Sequence, residues 1–539
     1  MGSIPITRSI FLTAQIPYCV IGSGPAGVAC ATALRERGAR VLMLDAGLTL
    51  EPERARVVAD LAQKKSSAWP VSQIAAVHGD RNTDVKSLPN KRLFGSDFPY
   101  RETSEKIPWR GRDVAVCPSL GLGGFSNVWG AAMLPLRDED ISDWPVKNSD
   151  LAEHYHAITE LTGFSGRRDG LESIFPLHTN SPVSLNPSRQ AAAFLTGLER
   201  HGETLRARGW HFGQSRLGVR AVDSPRGPGC VACGYCMTGC VYGCIYNAAD
   251  TVRELQRREN FRYESDVIVT RLRETAGVVL IDGFHRRTGE PLSFEAERVY
   301  LAAGVIPTAQ IVLRSQGAYD RPLTLRDSQY FLVPIIRARG IRNVDSEALY
   351  TLSQAFLELF HPRLGPHPVH LQIYTYSETI AAAVRGSLGP LKMFARPILE
   401  RLLIVQGYLH SNESSAIQMT LKRDGSKDLL QLEPVINPGT GGAVRRVLRE
   451  LQGQCRALGG LVIPPMLQIA QPGRGFHCGG SLPMRTQPGE FETDTLGRPS
   501  GLSRVHVVDA SILPAVPATT ITFSVMANAH RIGWETHSV

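Results

Sequence analysis

The stretch YCVIGSGPAGVACATALRERGARVLMLD, Tyr18 to Asp45, decides the fold class. A short apolar run feeds Gly22-x-Gly24-x-x-Gly27, an alanine-rich stretch follows, and a second apolar run, Val41 to Leu44, ends at Asp45. The order is strand, tight turn, helix, strand, with the acid closing the second strand. Gly22 permits the turn, Gly24 lets the backbone approach a pyrophosphate, and Gly27 lets the helix lie close to the strand. The positive end of the helix faces the phosphates, and Asp45 can accept a hydrogen bond from a ribose hydroxyl. A glycine-rich turn alone carries little weight. With both strands, the helix and the acid in register, the unit reads as dinucleotide-binding.

Outward from this unit, 539 residues allow several compact domains at roughly 100–200 residues each. An apolar fraction of 43% excludes a largely disordered chain. Lys and Arg exceed Asp and Glu by 59 to 50, with no long block of like charges, which gives nucleic-acid binding little support. No run reaches the ~18 apolar residues of a membrane span. The opening residues carry neither a twin-arginine pair nor a clear apolar signal core, so the cytoplasm is the expected location.

Residues 51–114 are polar and punctuated by Pro70, Pro89, Pro99 and Pro108, and read as a surface crossing. A second glycine-rich loop, SLGLGGFSNVWGAAMLP, spans Ser119 to Pro135. Helices are expected over 150–162, 198–208 and 246–258. The run RVYLAAGVIPTAQIVL reads as a strand, a turn at Gly304 and a helix returning to the nucleotide sheet. Alternating patterns such as YFLVPIIRARG, VHLQIYTYS and SAIQMTLKR within about 320–470 fit an antiparallel sheet. The apolar, basic stretch 380–409 reads as a buried helix of that second domain, with a membrane-surface or docking helix as the other reading. The expected architecture is α/β: a Rossmann-like FAD-binding domain with a second domain built on an antiparallel sheet. Its segments are 15–150 (FAD-binding, with the second glycine loop), 151–227 (cap or substrate domain), 228–318 (cysteine segment and return), 319–469 (substrate-binding) and 470–539 (FAD-binding, C-terminal part).

Five of the ten cysteines fall in CVACGYCMTGCVYGC, Cys230 to Cys244. A chain of this length builds its core without disulfides, so the cluster reads as metal or redox chemistry. Cys230, Cys233, Cys236 and Cys240 have the C-x2-C-x2-C-x3-C spacing of ferredoxin-type iron–sulfur ligation, with Val241 where a proline usually follows. A structural zinc and a metal-free cysteine loop are the other readings.

FHCGGSLPM (Phe476–Met484), the closing run TDTLGRPSGLSRVHVVDASILPAVPATTITFSVMANAHRIG (Thr493–Gly533), GLGGFSNVWG (Gly121–Gly130) and the first glycine motif occur in one order. Together they resemble the glucose–methanol–choline (GMC) flavoprotein oxidoreductases. The resemblance implies FAD held at Gly22, Gly24, Gly27 and Asp45, with Gly123, Gly124, Ser126 and Asn127 along the flavin. Asp509 and Ala510 fall near the ribityl-pyrophosphate, and Thr522 is a further cofactor-binding position. Val128 stands where some members attach the flavin through histidine, so FAD is expected to be non-covalent. His477 maps to the family's base: a neutral imidazole takes the alcohol proton while hydride passes to the flavin. Thr520 occupies the second catalytic position, normally His or Asn, and orients without acting as a base.

Cys236 to Asn247 is similar to the catalytic subunits of bacterial FAD-dependent sugar dehydrogenases, which carry a three-iron cluster. By position Cys230, Cys236 and Cys240 match its ligands, while Cys233 has no counterpart and leaves room for [4Fe–4S] in place of [3Fe–4S]. The resemblance implies a dehydrogenase that oxidises a CH–OH group of a sugar, polyol or glycosylated metabolite. Electrons would leave through the cluster to a protein or quinone acceptor, and any cytochrome would be a separate chain because no CxxCH occurs. Two other readings stand beside it: a tailoring oxidoreductase for a lipid, steroid or polyketide alcohol, and a non-catalytic flavin electron-transfer protein.

Overall fold

The computed structural model describes residues 17–78, 91–425 and 427–536. The targeting-signal reading falls mainly on residues 1–16, outside the described residues. A five-stranded parallel sheet forms the centre, in the order Val505–Val507, Arg298–Leu301, Tyr18–Ile21, Val41–Leu44, Phe261–Glu264. Tyr18–Ile21 and Val41–Leu44 are buried at every position. Parallel strands covered on both faces read as continuous apolar runs, as these do. Helices Pro25–Glu36 and Thr522–Glu535 pack against each other beside the sheet, and Gly304 (φ 90°) turns the chain into helix Val305–Ser315.

The glycines of the first motif are sterically required. A Cβ on Gly22 (φ 102°) would lie 2.3 Å from the Ala302 carbonyl oxygen, and one on Gly27 would lie 2.0 Å from that of Gly22. Neither backbone contact can yield as a flexible side chain would. Gly27→Ala is therefore expected to lower stability by about 1–3 kcal/mol, read as a fall in the urea midpoint.

The second domain rests on a seven-stranded antiparallel sheet. Its main path runs Gly460–Val462, Tyr330–Arg337, Leu402–Tyr408, Val369–Tyr374, Ala355–Leu359, Trp210–Gln214, and Gln468–Ile469 pairs beside Tyr330–Arg337. One face carries Phe331, Leu357, Leu371, Ile373 and Val405 under helices Arg189–Glu199 and Thr440–Gly453. Alternation along each strand then sends Glu358, His370, Gln372, Tyr374 and Tyr408 to the other face. The expected fold class, a Rossmann-like domain with a second domain on an antiparallel sheet, is the one found.

Three expectations change. Residues 51–114 contain helices Pro52–Ala62 and Val71–His78 and are not simply an irregular crossing. The predicted helix at 198–208 is two helices, Arg189–Glu199 and Gly202–Ala207. The stretch 380–409 is not one buried helix. Helix Glu378–Leu388 leads into an exposed turn that bares Leu391, Met393 and Phe394, and Leu402–Tyr408 is a sheet strand. Leucine and isoleucine fit either element, and strand partners far along the chain decide between them. The segment 319–469 feeds two sheets: Pro322–Asp327 pairs with Ala416–Asp424 and Cys478–Gly479 in another five-stranded sheet that shares the main core. Among the described residues no helix is long and apolar enough to cross a membrane.

Candidate active site

The two glycine loops meet. Ser23 Oγ donates to Asp45 Oδ2 (2.8 Å) and accepts from the Gly123 amide (2.9 Å). A Cβ on Gly124 would lie 3.3 Å from Gly24 Cα, and nothing lies within 4 Å of a Cβ on Gly24 itself. The first helix starts beside that open space with Pro25 and no side-chain cap, leaving its positive end free for a phosphate. Asp45 also accepts from the Gly47 amide and the Tyr263 hydroxyl, and burial pushes its carboxyl up to about 6. Its Oδ1, bonded only to the Ser23 amide, keeps capacity for one more donor.

Ser126 and Asn127 turn inward. Ser126 Oγ donates to the Gly123 carbonyl and accepts from Ala248 N, while Asn127 donates to Leu122 and Gly124 carbonyls and accepts from Asn247. Their side chains shape the loop. Asp509 likewise accepts from Gly304 N, Thr308 and Ser511 N and joins the sheet to the closing segment, with Ala510 half-buried beside it. Thr522 opens the last helix.

His477 precedes the short strand Cys478–Gly479, whose partner strand ends at Asp327. Asp327 accepts from Cys478 Sγ and Gly473 N, and Ser328 N donates to the His477 carbonyl (3.1 Å), so the backbone around the imidazole is pinned. Phe476 holds a left-handed conformation (φ 57°) and meets Phe125 of the second glycine loop edge-on at 5.3 Å. Strain of this kind in a bulky residue collects at functional sites. His477 is part-exposed, its Nδ1 is buried without a partner, and burial lowers its pKa to about 3. It is a neutral imidazole at pH 7.

Tyr408 stacks on His477 at 4.7 Å and lies 5.4 Å from Tyr330. Ala518, two residues before Thr520, packs against both tyrosines. Thr519 and Thr520 are buried with unpartnered hydroxyls. The Tyr374 hydroxyl lies 3.6 Å from where a Cβ on Gly130 would stand. The closing segment, the second glycine loop and the polar sheet face thus surround His477. His410 stacks on His367 and reaches the Asp140 carbonyl, and Asn412 contacts His367. Sequence reasoning missed Tyr330 and Tyr408; the aromatic residues on alternating strands were the available signal.

Cys230, Cys233, Cys236, Cys240 and Cys244 line one small cavity with largely apolar neighbours, among them Leu185, Val219 and Tyr350. All ten cysteines are free thiols. Backbone amides face the sulfurs: Ala232 N to Cys230, Tyr235 N to Cys233, Thr351 N to Cys236 and Cys244 N to Cys240. The Cys244 thiol also donates to Cys240 and holds its pKa well below the usual thiol value. Lys91 reaches the Trp129 carbonyl (3.1 Å) at the end of the second glycine loop. Burial lowers its pKa to about 8 against the opposing pull of Cys236 and Cys240. Among the described residues no group of three or more His, Cys, Asp or Glu is arranged to hold a metal ion.

These features define an α/β protein with a Rossmann-like dinucleotide-binding unit and a histidine packed between the second glycine loop's neighbours and the polar sheet face. The family model for NAD(P)-binding Rossmann-like domains matches residues 20–50. A 6'''-hydroxyparomomycin C oxidase from Streptomyces lividus is 25% identical over 320 residues, covering 56% of this chain and 50% of that protein. The chain thus spans about half the length of that curated relative. The crystal structure of pyridoxine 4-oxidase from Mesorbium loti superposes with a TM-score of 0.61 at 15% identity, covering 97% of this chain and 100% of that one. That likeness establishes the shared fold.

Proposed function

We propose that this protein is an FAD-dependent oxidoreductase that oxidises a CH–OH group of a sugar, polyol or glycosylated metabolite. The observation that carries the reading is His477, a neutral, part-exposed imidazole between the second glycine loop and a polar sheet face. FAD, when bound, supplies the hydride acceptor; the open backbone at Gly24 and the uncapped helix suit its pyrophosphate. His477 takes the hydroxyl proton as hydride leaves the same carbon. Tyr408 and Tyr330 hold the imidazole plane, and the Thr520 hydroxyl orients the substrate oxygen. A polar sheet face favours a hydroxylated substrate over a lipid or steroid, and the named relative from Streptomyces lividus is an oxidase of a glycosylated compound.

The cysteine cavity suits an iron–sulfur cluster held by Cys230, Cys233, Cys236 and Cys240, which would supply one-electron transfer to a protein or quinone acceptor. That arrangement favours a dehydrogenase, whereas both named relatives are oxidases. Iron and acid-labile sulfide content of protein purified without oxygen separates the two. Iron supports the cluster route, and iron-free, FAD-replete protein points to oxygen as acceptor. The alcohol chemistry is tested by anaerobic flavin bleaching with D-glucose, D-glucosamine, myo-inositol and paromomycin. Reduction by at least one is expected, and reduction by none, with a protein reductant effective, favours the electron-transfer reading. Thr520→Ala is expected to cost only a hydrogen bond, about 0.5–1.5 kcal/mol in kcat/KM. A loss as large as that of the histidine would show that it does more than orient.

A further inference from the structure

Four polar side chains on the sheet face form a hydrogen-bonded chain with a fixed direction. Glu358 and His370 are register partners on adjacent strands, and His370 and Tyr408 are partners on the next pair. Glu358 and His370 are both fully buried, with His370 Nδ1 2.6 Å from Glu358 Oε1. Burial raises the Glu358 pKa while the imidazole pulls it down; as a carboxylate it only accepts, so Nδ1 carries the proton, and in that tautomer Nε2 is bare. Gln372 Nε2 lies 3.2 Å from that bare nitrogen and is the donor that fits it. The amide carbonyl then points away, and the Tyr374 hydroxyl donates to it at 3.1 Å. Burial raises the Tyr374 pKa, so the phenol keeps that proton. What its oxygen has left, on the side of Gly130, is acceptor capacity, with the otherwise unpartnered Ser353 hydroxyl as the neighbouring protein donor.

A buried carboxylate–imidazole pair costs desolvation that apolar residues of similar volume would avoid. Its other charged neighbours are Asp140 and Arg137, at the 138–141 turn, and the buried Arg216. His370 does not reach the reacting centre. The Tyr408 ring lies 6.1 Å from it and 4.7 Å from His477, so His370 stands one ring behind the base. A second general base at that position has no path to a substrate proton. A residue that sets the direction of its neighbours does not need one.

We propose that Glu358 and His370 are positioning residues that, through Gln372, fix the Tyr374 hydroxyl as a hydrogen-bond acceptor facing the second glycine loop. The site thereby selects substrates that carry a donor, a hydroxyl or an amine, beside the carbon oxidised. The substrate half of this inference rests on the activity proposed above; the direction of the chain does not. An amide or phenol without an ordered neighbour presents either role, and discrimination against a missing donor is strong only where the acceptor is already committed.

The test is ring-15N histidine NMR on FAD-loaded protein, with the His370 signals identified by their loss in His370→Asn, or in His370→Gln if the first variant does not fold. The neutral Nδ1–H tautomer at pH 7 is expected, unchanged in Tyr374→Phe. An Nε2–H tautomer or an imidazolium would turn the Gln372 amide round and overturn the proposal. With whichever panel alcohol reduces the flavin, Tyr374→Phe and Glu358→Gln are each expected to lower kcat/KM about tenfold, and the double variant by the same factor. Losses that multiply would show that the residues do not act through one another. If no alcohol reduces the flavin, the proposed activity falls while the tautomer still decides the direction of the chain.

Discussion

Replacing His477 with alanine lowers turnover by at least ~10²-fold while FAD stays bound, the loss expected when a positioned general base is removed. The proposed cofactor contacts lie elsewhere, at the two glycine loops joined through Ser23, so flavin content should not change. The pH dependence gives an independent readout. Burial depresses the His477 pKa to about 3, so the imidazole is in its proton-accepting form throughout the neutral range. The acid limb of kcat/KM should therefore fall well below the ordinary histidine value of ~6.5, with activity held as pH drops from 7 to 5. A limb near 6.5 would mean that the ring is solvated in the substrate-free enzyme. Near-normal turnover in His477→Ala would remove it as the base altogether.

Replacing Cys236 and Cys240 together with serine is expected to abolish bound iron, from about three or four atoms per chain to near none. Flavin reduction by substrate should persist, because no cysteine takes part in the proposed proton transfer. Reoxidation by an artificial one-electron acceptor should slow sharply. Serine keeps nearly the volume of cysteine, so the cavity's apolar neighbours need not move, and FAD content reports whether the variant folds. The amides aimed at four sulfurs and the Lys91 ammonium nearby oppose the burial that raises the pKa of Cys230, Cys233 and Cys236. Wild-type protein free of iron would make these cysteines a structural loop.

Tyr18 to Asp45 was legible as strand–turn–helix–strand from the sequence alone, because every local requirement lies within a few residues of the group it serves. Gly22 and Gly27 tolerate no Cβ, and the apolar runs are continuous since both faces of a parallel sheet are covered. The same locality made the cysteine spacing and the histidine opening HCGG readable. The helices at Pro52–Ala62 and Val71–His78 were not, since their amphipathic faces are short and polar-flanked. Strand Leu402–Tyr408 was hidden in an apolar stretch that suits a helix equally well. Only the tertiary structure decided which residues meet at His477. Tyr408 stacks on it, and antiparallel register sets Tyr330 beside Tyr408 from far along the chain. His370, Gln372 and Tyr374 share one face by alternation along a single strand, and strand pairing sets Glu358 beside them. Composition marks such residues only as polar positions in apolar strands. Their direction as donors and acceptors exists only once the strands are in register and water is excluded.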